Sequence, residues 1–149
     1  METIFFQVNK EPTMQPFVWK LRVYWEDTDA GGVVYHARYL NFFERARTEW
    51  LRDMGVHQAK MAKEDNTIFA IRNMNISYVM AARLDDELEV SVHSVEAPGA
   101  RMVFKQDMIR CSDQQLVASA DVSAVCLKAD SFKATRMPAW IRAEIKNAK

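Results

Sequence analysis

The residues with the greatest chemical potential stand together in one short segment, Glu26 to His36, which reads EDTDAGGVVYH. It holds three carboxylates, two adjacent glycines and a histidine. Asp-x-Asp followed by Gly-Gly favours a turn, because glycine readily adopts positive φ and allows close backbone approach. Beside exposed backbone N–H groups, a carboxylate such as Asp29 can act as an acceptor, a general base or a nucleophile.

Other uses of the same segment compete with that chemistry. A loop rich in Asp and Gly is commonly only a solvated turn. Asp27, Asp29 and Gly32 fall on positions 1, 3 and 6 of a calcium-binding EF-hand loop, but positions 5 and 12 are Gly31 and Arg38. The other two histidines are distant and lack ligand-like spacing, and neither phosphate-binding glycine motif is present. We therefore predict no metal ion and no cofactor.

A strongly amphipathic stretch follows the segment. Its apolar residues recur at spacings of three and four and are Tyr39, Phe42, Phe43, Ala46, Trp50, Leu51 and Met54. This pattern predicts a helix of about sixteen residues, with Gly55 as its left-handed C-terminal cap and Val56 as the hydrophobic partner of the cap. The glycine turn should then lead directly into a helix N-terminus, whose unpaired N–H groups can polarise a carbonyl or hold an anion.

Elsewhere the apolar residues recur with a period of two, which predicts strands. The expected strands cover 17–25, 73–78, 88–93, 102–108 and 116–127, with turns at 97–100 and 111–114. One strand, one helix and four further strands indicate an α+β fold in which a mainly antiparallel sheet wraps the helix. The spacing of Trp140, Ile141 and Ile145 after Pro138 predicts a short C-terminal helix.

The composition fits one domain that binds no nucleic acid. The chain has 149 residues, with 20 basic and 20 acidic side chains and no net charge. No apolar run reaches the roughly 18 residues of a membrane span, and 1–20 contains acids and prolines where a signal peptide needs an apolar core. We expect a cytoplasmic protein without a transmembrane segment, in which Cys111 and Cys126 are buried free thiols.

Several segments together resemble a known family. VYWEDTDAGGVVYH at 23–36 and YLNFFERAR at 39–47 are similar to the signature of the hotdog-fold thioesterases of the 4-hydroxybenzoyl-CoA thioesterase family. Within it, the likeness is greatest to the YbgC-type acyl-CoA thioesterases that accompany the bacterial Tol-Pal envelope system. The likeness continues through MNISY at 74–78 and ARLDD at 82–86, and covers the chain from Phe17 to about Leu127.

The resemblance implies a hotdog fold, with a curved antiparallel five-stranded sheet wrapped around one long central helix. It implies a single domain over 1–149, with a core at about 17–128, an N-terminal extension at 1–16 and a tail at 129–149. It also implies hydrolysis of the thioester of an acyl-CoA, or of a related acyl thioester, to free acid and thiol in lipid metabolism. The alternative is a non-catalytic role in envelope lipid assembly, in which the same pocket binds an acyl thioester or acyl carrier protein.

The resemblance further implies a homodimer as the minimal active unit and a homotetramer as the common assembly, with active sites where two subunits meet. Open edges of strands such as 116–127 would favour symmetric pairing for a separate reason, because an uncovered edge invites uncontrolled association.

Specific site residues also follow from the family likeness. It implies that Asp29 is the catalytic carboxylate and that a backbone N–H near His36 polarises the thioester carbonyl. Benzoyl-type relatives carry a tyrosine at that position, so the His36 ring either assists catalysis or replaces an aromatic wall. Asp27 is interpreted as a loop-shaping acid whose side chain caps backbone amides. The predicted substrate-binding residues are Gly32, Val34 and Tyr35.

Overall fold

The computed structural model describes residues 16–95 and 99–147, and within them five strands and three helices. The strands are β1 (Phe17–Arg22), β2 (Thr67–Tyr78), β3 (Glu87–Val95), β4 (Arg101–Arg110) and β5 (Gln115–Lys128). The helices are α1 (Arg38–Asp53), α2 (Gln58–Glu64) and α3 (Ala139–Asn147). The predicted α+β architecture, with one long helix and a five-stranded antiparallel sheet, is confirmed.

The order of strands in the sheet is β1-β3-β4-β5-β2. β5 is therefore an interior strand, because it pairs with β4 on one side and with β2 on the other. The expectation of an open edge at 116–127 was wrong. In the described part of the chain the edges belong to β1 and β2, and any pairing between sheets must use one of those two strands.

Helix α1 packs its apolar side chains into the core and ends as the sequence predicts. Gly55 has φ +83°, and its N–H donates to Arg52 O at 2.9 Å. The N–H of Val56 donates to Leu51 O at 2.9 Å, and the Val56 side chain is buried. These two bonds form the Schellman cap that a glycine after the last helical residue favours.

Three elements differ from the predictions. β1 ends at Arg22 instead of Trp25, because Trp25–Asp27 forms a 3-10 turn. β2 begins at Thr67, ahead of the predicted 73–78, since a register shift between Ile71 and Asn73 interrupts the alternation that reveals a strand. Helix α2 was not predicted, because its seven residues bury only Met61 and show no measurable period.

The remaining predicted features have mixed outcomes. The turn at 111–114 and the C-terminal helix are confirmed. Of the predicted turn at 97–100, residues 99 and 100 form a turn with φ +71° at Gly99, whereas 97 and 98 and most of the N-terminal extension fall outside the described residues. Helix α3 contributes Ile141 and Ile145 to the same core as α1, so the tail packs onto the domain. Cys126 is buried as expected, whereas Cys111 is partly exposed.

Candidate active site

The Asp-Gly segment forms a tight hairpin. Thr28 pairs with Val34 across it, and the N–H of Asp29 donates to Val33 O at 2.9 Å. The N–H of Gly32 closes the turn on Asp29 O at 3.0 Å, with φ +76° at Gly32, a conformation that side chains disfavour. The expectation that the glycine turn leads directly into the helix was wrong, because 33–37 return along the hairpin before α1 begins.

Asp29 lies at the tip of this hairpin with an exposed side chain. Its Oδ1 accepts the N–H of Gly31 at 2.8 Å, which fixes the orientation of the carboxylate. Its Oδ2 accepts no hydrogen bond from any other residue that the structure describes, so this oxygen is open to a ligand. The carboxylate lines an open groove together with Trp25, Thr28, Ala30, Gly32 and Leu84.

The negative charge of Asp29 affects Tyr39 in the first turn of α1. Burial is the main reason that the pKa of Tyr39 is raised, and the negative charges of Asp86 and Asp29 add to that rise. The hairpin tip and the start of the helix are therefore within electrostatic range of each other, although they are separate elements.

Asp27 lies only two residues from Asp29, but it is buried and both of its oxygens have partners. Its side chain is 6% exposed, and its Oδ1 pairs with Arg38 Nε at 3.0 Å. Its Oδ2 accepts the N–H of Tyr24 at 2.8 Å. Both oxygens are occupied by the protein, as the interpretation of Asp27 as a loop-shaping acid predicts.

The start of α1 presents backbone donors without acceptors. Its N-cap residue is Ala37, and no side chain caps this end. The N–H groups of His36 and Ala37 donate to no other residue within 16–95 or 99–147. These donors lie at the positive end of the helix dipole, where they can polarise a carbonyl or stabilise an oxyanion.

The side chain of His36 is exposed, and its ring centroid lies 4.6 Å from that of Tyr35. Its carbonyl oxygen accepts the hydroxyl of Tyr78 at 2.8 Å. This contact joins the end of β2 to the start of the helix. The catalytic role of the ring stays a prediction.

The three predicted substrate-binding residues occupy different environments. Gly32 lines the groove, and Tyr35 is exposed beside His36. Val34 is only 3% exposed, and its N–H is engaged by Ala82 O at 2.8 Å. Contact of the Val34 side chain with a substrate would therefore require the core to open, whereas Gly32 and Tyr35 are accessible as they stand.

A second loop supports the hairpin and was not assigned a role from the sequence. Val33 pairs with Arg83, and the N–H of Ala82 donates to the hydroxyl of Tyr39 at 3.1 Å. Leu84, from the same loop, forms one wall of the groove. Its segment ARLDD is part of the family likeness, but nothing in the sequence indicates which residues it contacts.

Arg47 is a buried cation that was not predicted from the sequence. Its Nη1 donates to Gln106 Oε1 at 2.9 Å, and Gln106 Nε2 donates to Phe43 O at 3.1 Å. Burial lowers the pKa of Arg47 from its usual value. Its spacing of four from both Phe43 and Leu51 places it on the apolar face of α1, and this signal could have revealed it.

Neither cysteine has the features of a nucleophile. Burial raises the pKa of Cys126 to about 11, and burial also raises that of Cys111. No group of three or more His, Cys, Asp or Glu side chains in the described ranges could hold a metal ion. None of the helices there is long and apolar enough to cross a membrane.

Comparison with known proteins identifies the family. The sequence profile of the Thioesterase-like superfamily matches residues 23–145. The acyl-CoA thioesterase YbgC of Haemophilus influenzae is 41% identical over 133 residues, which cover 89% of this chain and 96% of the relative.

Solved structures agree with this assignment. A probable thioesterase from Bartonella henselae is 33% identical with a TM-score of 0.78, covering 83% of this chain and 100% of that one. A 1,4-dihydroxy-2-naphthoyl-CoA thioesterase from Synechocystis shares the fold with a TM-score of 0.83 at 22% identity, covering 89% and 97% of the two chains. The resemblance noted in the sequence is confirmed, and the chain belongs to the thioesterase-like superfamily of hotdog-fold enzymes.

Proposed function

We propose that this protein hydrolyses the thioester of an acyl-CoA to a free acid and the coenzyme A thiol. The observation that carries the proposal is the exposed carboxylate of Asp29 on the groove, held through Oδ1 while Oδ2 has no partner among the described residues. The relatives named as acyl-CoA thioesterases support the same substrate class.

The chemistry needs few groups. A thioester carbonyl is electrophilic, and its thiolate leaving group needs little protonation, so a carboxylate and a polarising donor are sufficient. The N–H groups of His36 and Ala37 are the donors that would stabilise the developing oxyanion. No Ser-His-Asp arrangement is required.

Asp29 can act by two routes. As a nucleophile, it attacks the carbonyl and expels the thiolate, and water then cleaves the mixed anhydride to regenerate the carboxylate. As a base, it takes a proton from a water molecule that attacks the carbonyl directly. Both routes yield the same acid and thiol, and both use the free oxygen of Asp29.

The assembly is part of the proposal. In one chain the groove beside Asp29 is open, and Trp25 on its rim is 80% exposed. Leu84 on the same groove is exposed as well, and neighbouring exposed apolar residues are typical of a surface that another molecule covers. We infer that a second copy supplies the missing wall, through edge pairing at β1 or β2.

The homodimer would be the minimal active unit, and activity should disappear when it dissociates. Sedimentation and turnover measured over one dilution series test this, and a fully active monomer would refute it. The tetramer, an acyl carrier protein partner, the Tol-Pal association, a role in lipid metabolism and the cytoplasmic location stay predictions.

A thiol-release assay tests the activity itself. Purified protein is incubated with acyl-CoAs of short, medium and long chain and with an aromatic acyl-CoA, and free thiol and free acid are both quantified. We expect catalytic release of both in equal amounts, with one acyl class preferred. Binding of acyl-CoA without turnover across the series would reject the enzyme and favour the non-catalytic alternative.

A further inference from the structure

We propose that Tyr78 is a positioning residue that orients the backbone donors at the start of α1 toward the thioester carbonyl. This inference rests on the proposed function, because those donors are the groups that would polarise the carbonyl. Tyr78 is the last residue of β2, and its hydroxyl donates to His36 O at 2.8 Å.

The bond acts on a rigid unit. The carbonyl of His36 and the N–H of Ala37 belong to one peptide plane, and in a trans peptide they point in opposite directions. Holding the carbonyl oxygen therefore fixes the direction of the Ala37 N–H. That N–H is one of the donors without an acceptor in the described chain.

This end of the helix lacks the usual means of holding its first turn. A Ser, Thr, Asp or Asn at the N-cap would accept N–H groups of the first turn and stabilise it. Ala37 cannot do so, and the first turn carries no acidic residue. A bond to the His36 carbonyl instead restrains the residue that precedes the N-cap, and the N–H groups of His36 and Ala37 keep no acceptor among the described residues.

Tyr78 is itself held in place. Its ring packs edge to face against Tyr39, with centroids 5.3 Å apart and an interplanar angle of 81°. Tyr39 is buried, and its hydroxyl accepts the N–H of Ala82. The backbone after Tyr78 is fixed as well, because the N–H groups of Val79 and Met80 both donate to Val117 O. Half of Tyr78 is exposed, and the ring contact with Tyr39 together with the fixed backbone after Tyr78 supports the position of its hydroxyl.

Tyr78→Phe removes only the hydroxyl and keeps the ring that packs on Tyr39. The matched control is Tyr24→Phe, since Tyr24 is 60% exposed and its hydroxyl makes no hydrogen bond to the described residues. We expect Tyr78→Phe to lower kcat about tenfold, with KM within about twofold, the pattern of an interaction that acts in the transition state. Tyr24→Phe should match the wild type. Equal kcat values for the two variants would overturn the proposal.

Amide hydrogen exchange over 34–42 gives a second readout that does not require turnover. We expect faster exchange in Tyr78→Phe than in the wild type and in Tyr24→Phe, at equal melting temperatures. If the wild type fails to hydrolyse any acyl-CoA, the proposed function falls, and the exchange data still decide whether Tyr78 restrains this segment. Unchanged exchange in Tyr78→Phe would overturn the positioning role even in an active enzyme.

Discussion

Two aspartates two residues apart occupy opposite kinds of environment in this protein. Asp27 lies in a buried corner, where Arg38 and the N–H of Tyr24 use both of its oxygens. Asp29 lies at an exposed hairpin tip, where the N–H of Gly31 uses one oxygen and the other is open. The residue type is the same, so the difference in role comes from how many acceptor sites the protein already occupies.

Asp27 therefore has a structural role, whereas Asp29 is available for a chemical one. A buried carboxylate with a partner on each oxygen stabilises a fold but is not accessible to a ligand. An exposed carboxylate with one fixed oxygen is oriented and still available. On this basis the two acids should respond differently to the same substitution, one mainly in activity and the other mainly in stability.

The largest expected effect is on turnover in Asp29→Asn. We expect a loss of at least about 10²-fold in kcat, because the substitution removes the base or nucleophile. Stability should hardly change, since the Asn side-chain oxygen can still accept the N–H of Gly31. Thiol release and thermal unfolding of the same preparation check both statements. Near-normal turnover by the folded variant would show that Asp29 is not the catalytic carboxylate.

Asp27→Asn should act chiefly on stability. The variant keeps an acceptor for the N–H of Tyr24 but loses the ion pair with Arg38 in a site that is 4% exposed. We expect the free energy of unfolding to fall by about 2 kcal/mol, as measured by denaturant titration. No change in the free energy of unfolding would show that the ion pair between Asp27 and Arg38 does not stabilise the fold.

The position of the Asp29 carboxylate can be changed without replacing Asp29 itself. A Cβ added at Gly31 would lie 3.1 Å from Asp29 Oδ1, which forces the carboxylate to shift by a few tenths of an ångström. We expect Gly31→Ala to lower kcat about tenfold, because reactive groups tolerate little displacement.

Gly32→Ala is the companion to Gly31→Ala. A Cβ at Gly32 meets nothing within 4 Å, but the φ of +76° is strained for alanine. This variant should lose about 1 kcal/mol of stability. Equal turnover in Gly31→Ala and the wild type would show that the orientation of the carboxylate does not matter.

The smallest expected effect concerns the ring of His36. If the ring assists the reaction, His36→Phe should lower kcat by about fivefold with little change in KM. If the ring serves only as an aromatic wall, phenylalanine should be tolerated. Steady-state kinetics decide between the two, and equal kcat values would leave only the backbone donors at this position.

Much of the fold could be predicted from sequence, where the signal is local. The apolar spacing and Gly55 define α1 and its cap, and strict alternation reveals β3 and β4. The first half of β2 was missed because its register shift breaks the alternation, and α2 because seven residues are too few to show a period.

The candidate site is less predictable, because it depends on contacts between distant segments. The Asp-Gly turn is visible in the sequence, but its separation from the helix by a returning hairpin strand is not. The contacts of Ala82 with Val34 and of Tyr78 with His36 join residues more than forty positions apart. Their alignment follows from the sheet order and the loop after β2, neither of which is encoded in a local pattern.

The most direct test of the account is the ratio of two turnover numbers, those of Asp29→Asn and Asp27→Asn. Both are measured by thiol release at saturating acyl-CoA, at a temperature where circular dichroism shows that both variants are folded. We expect Asp29→Asn to be slower than Asp27→Asn by at least about tenfold. A ratio near one, or a slower Asp27→Asn, would contradict the claim that the open carboxylate of Asp29 carries the chemistry.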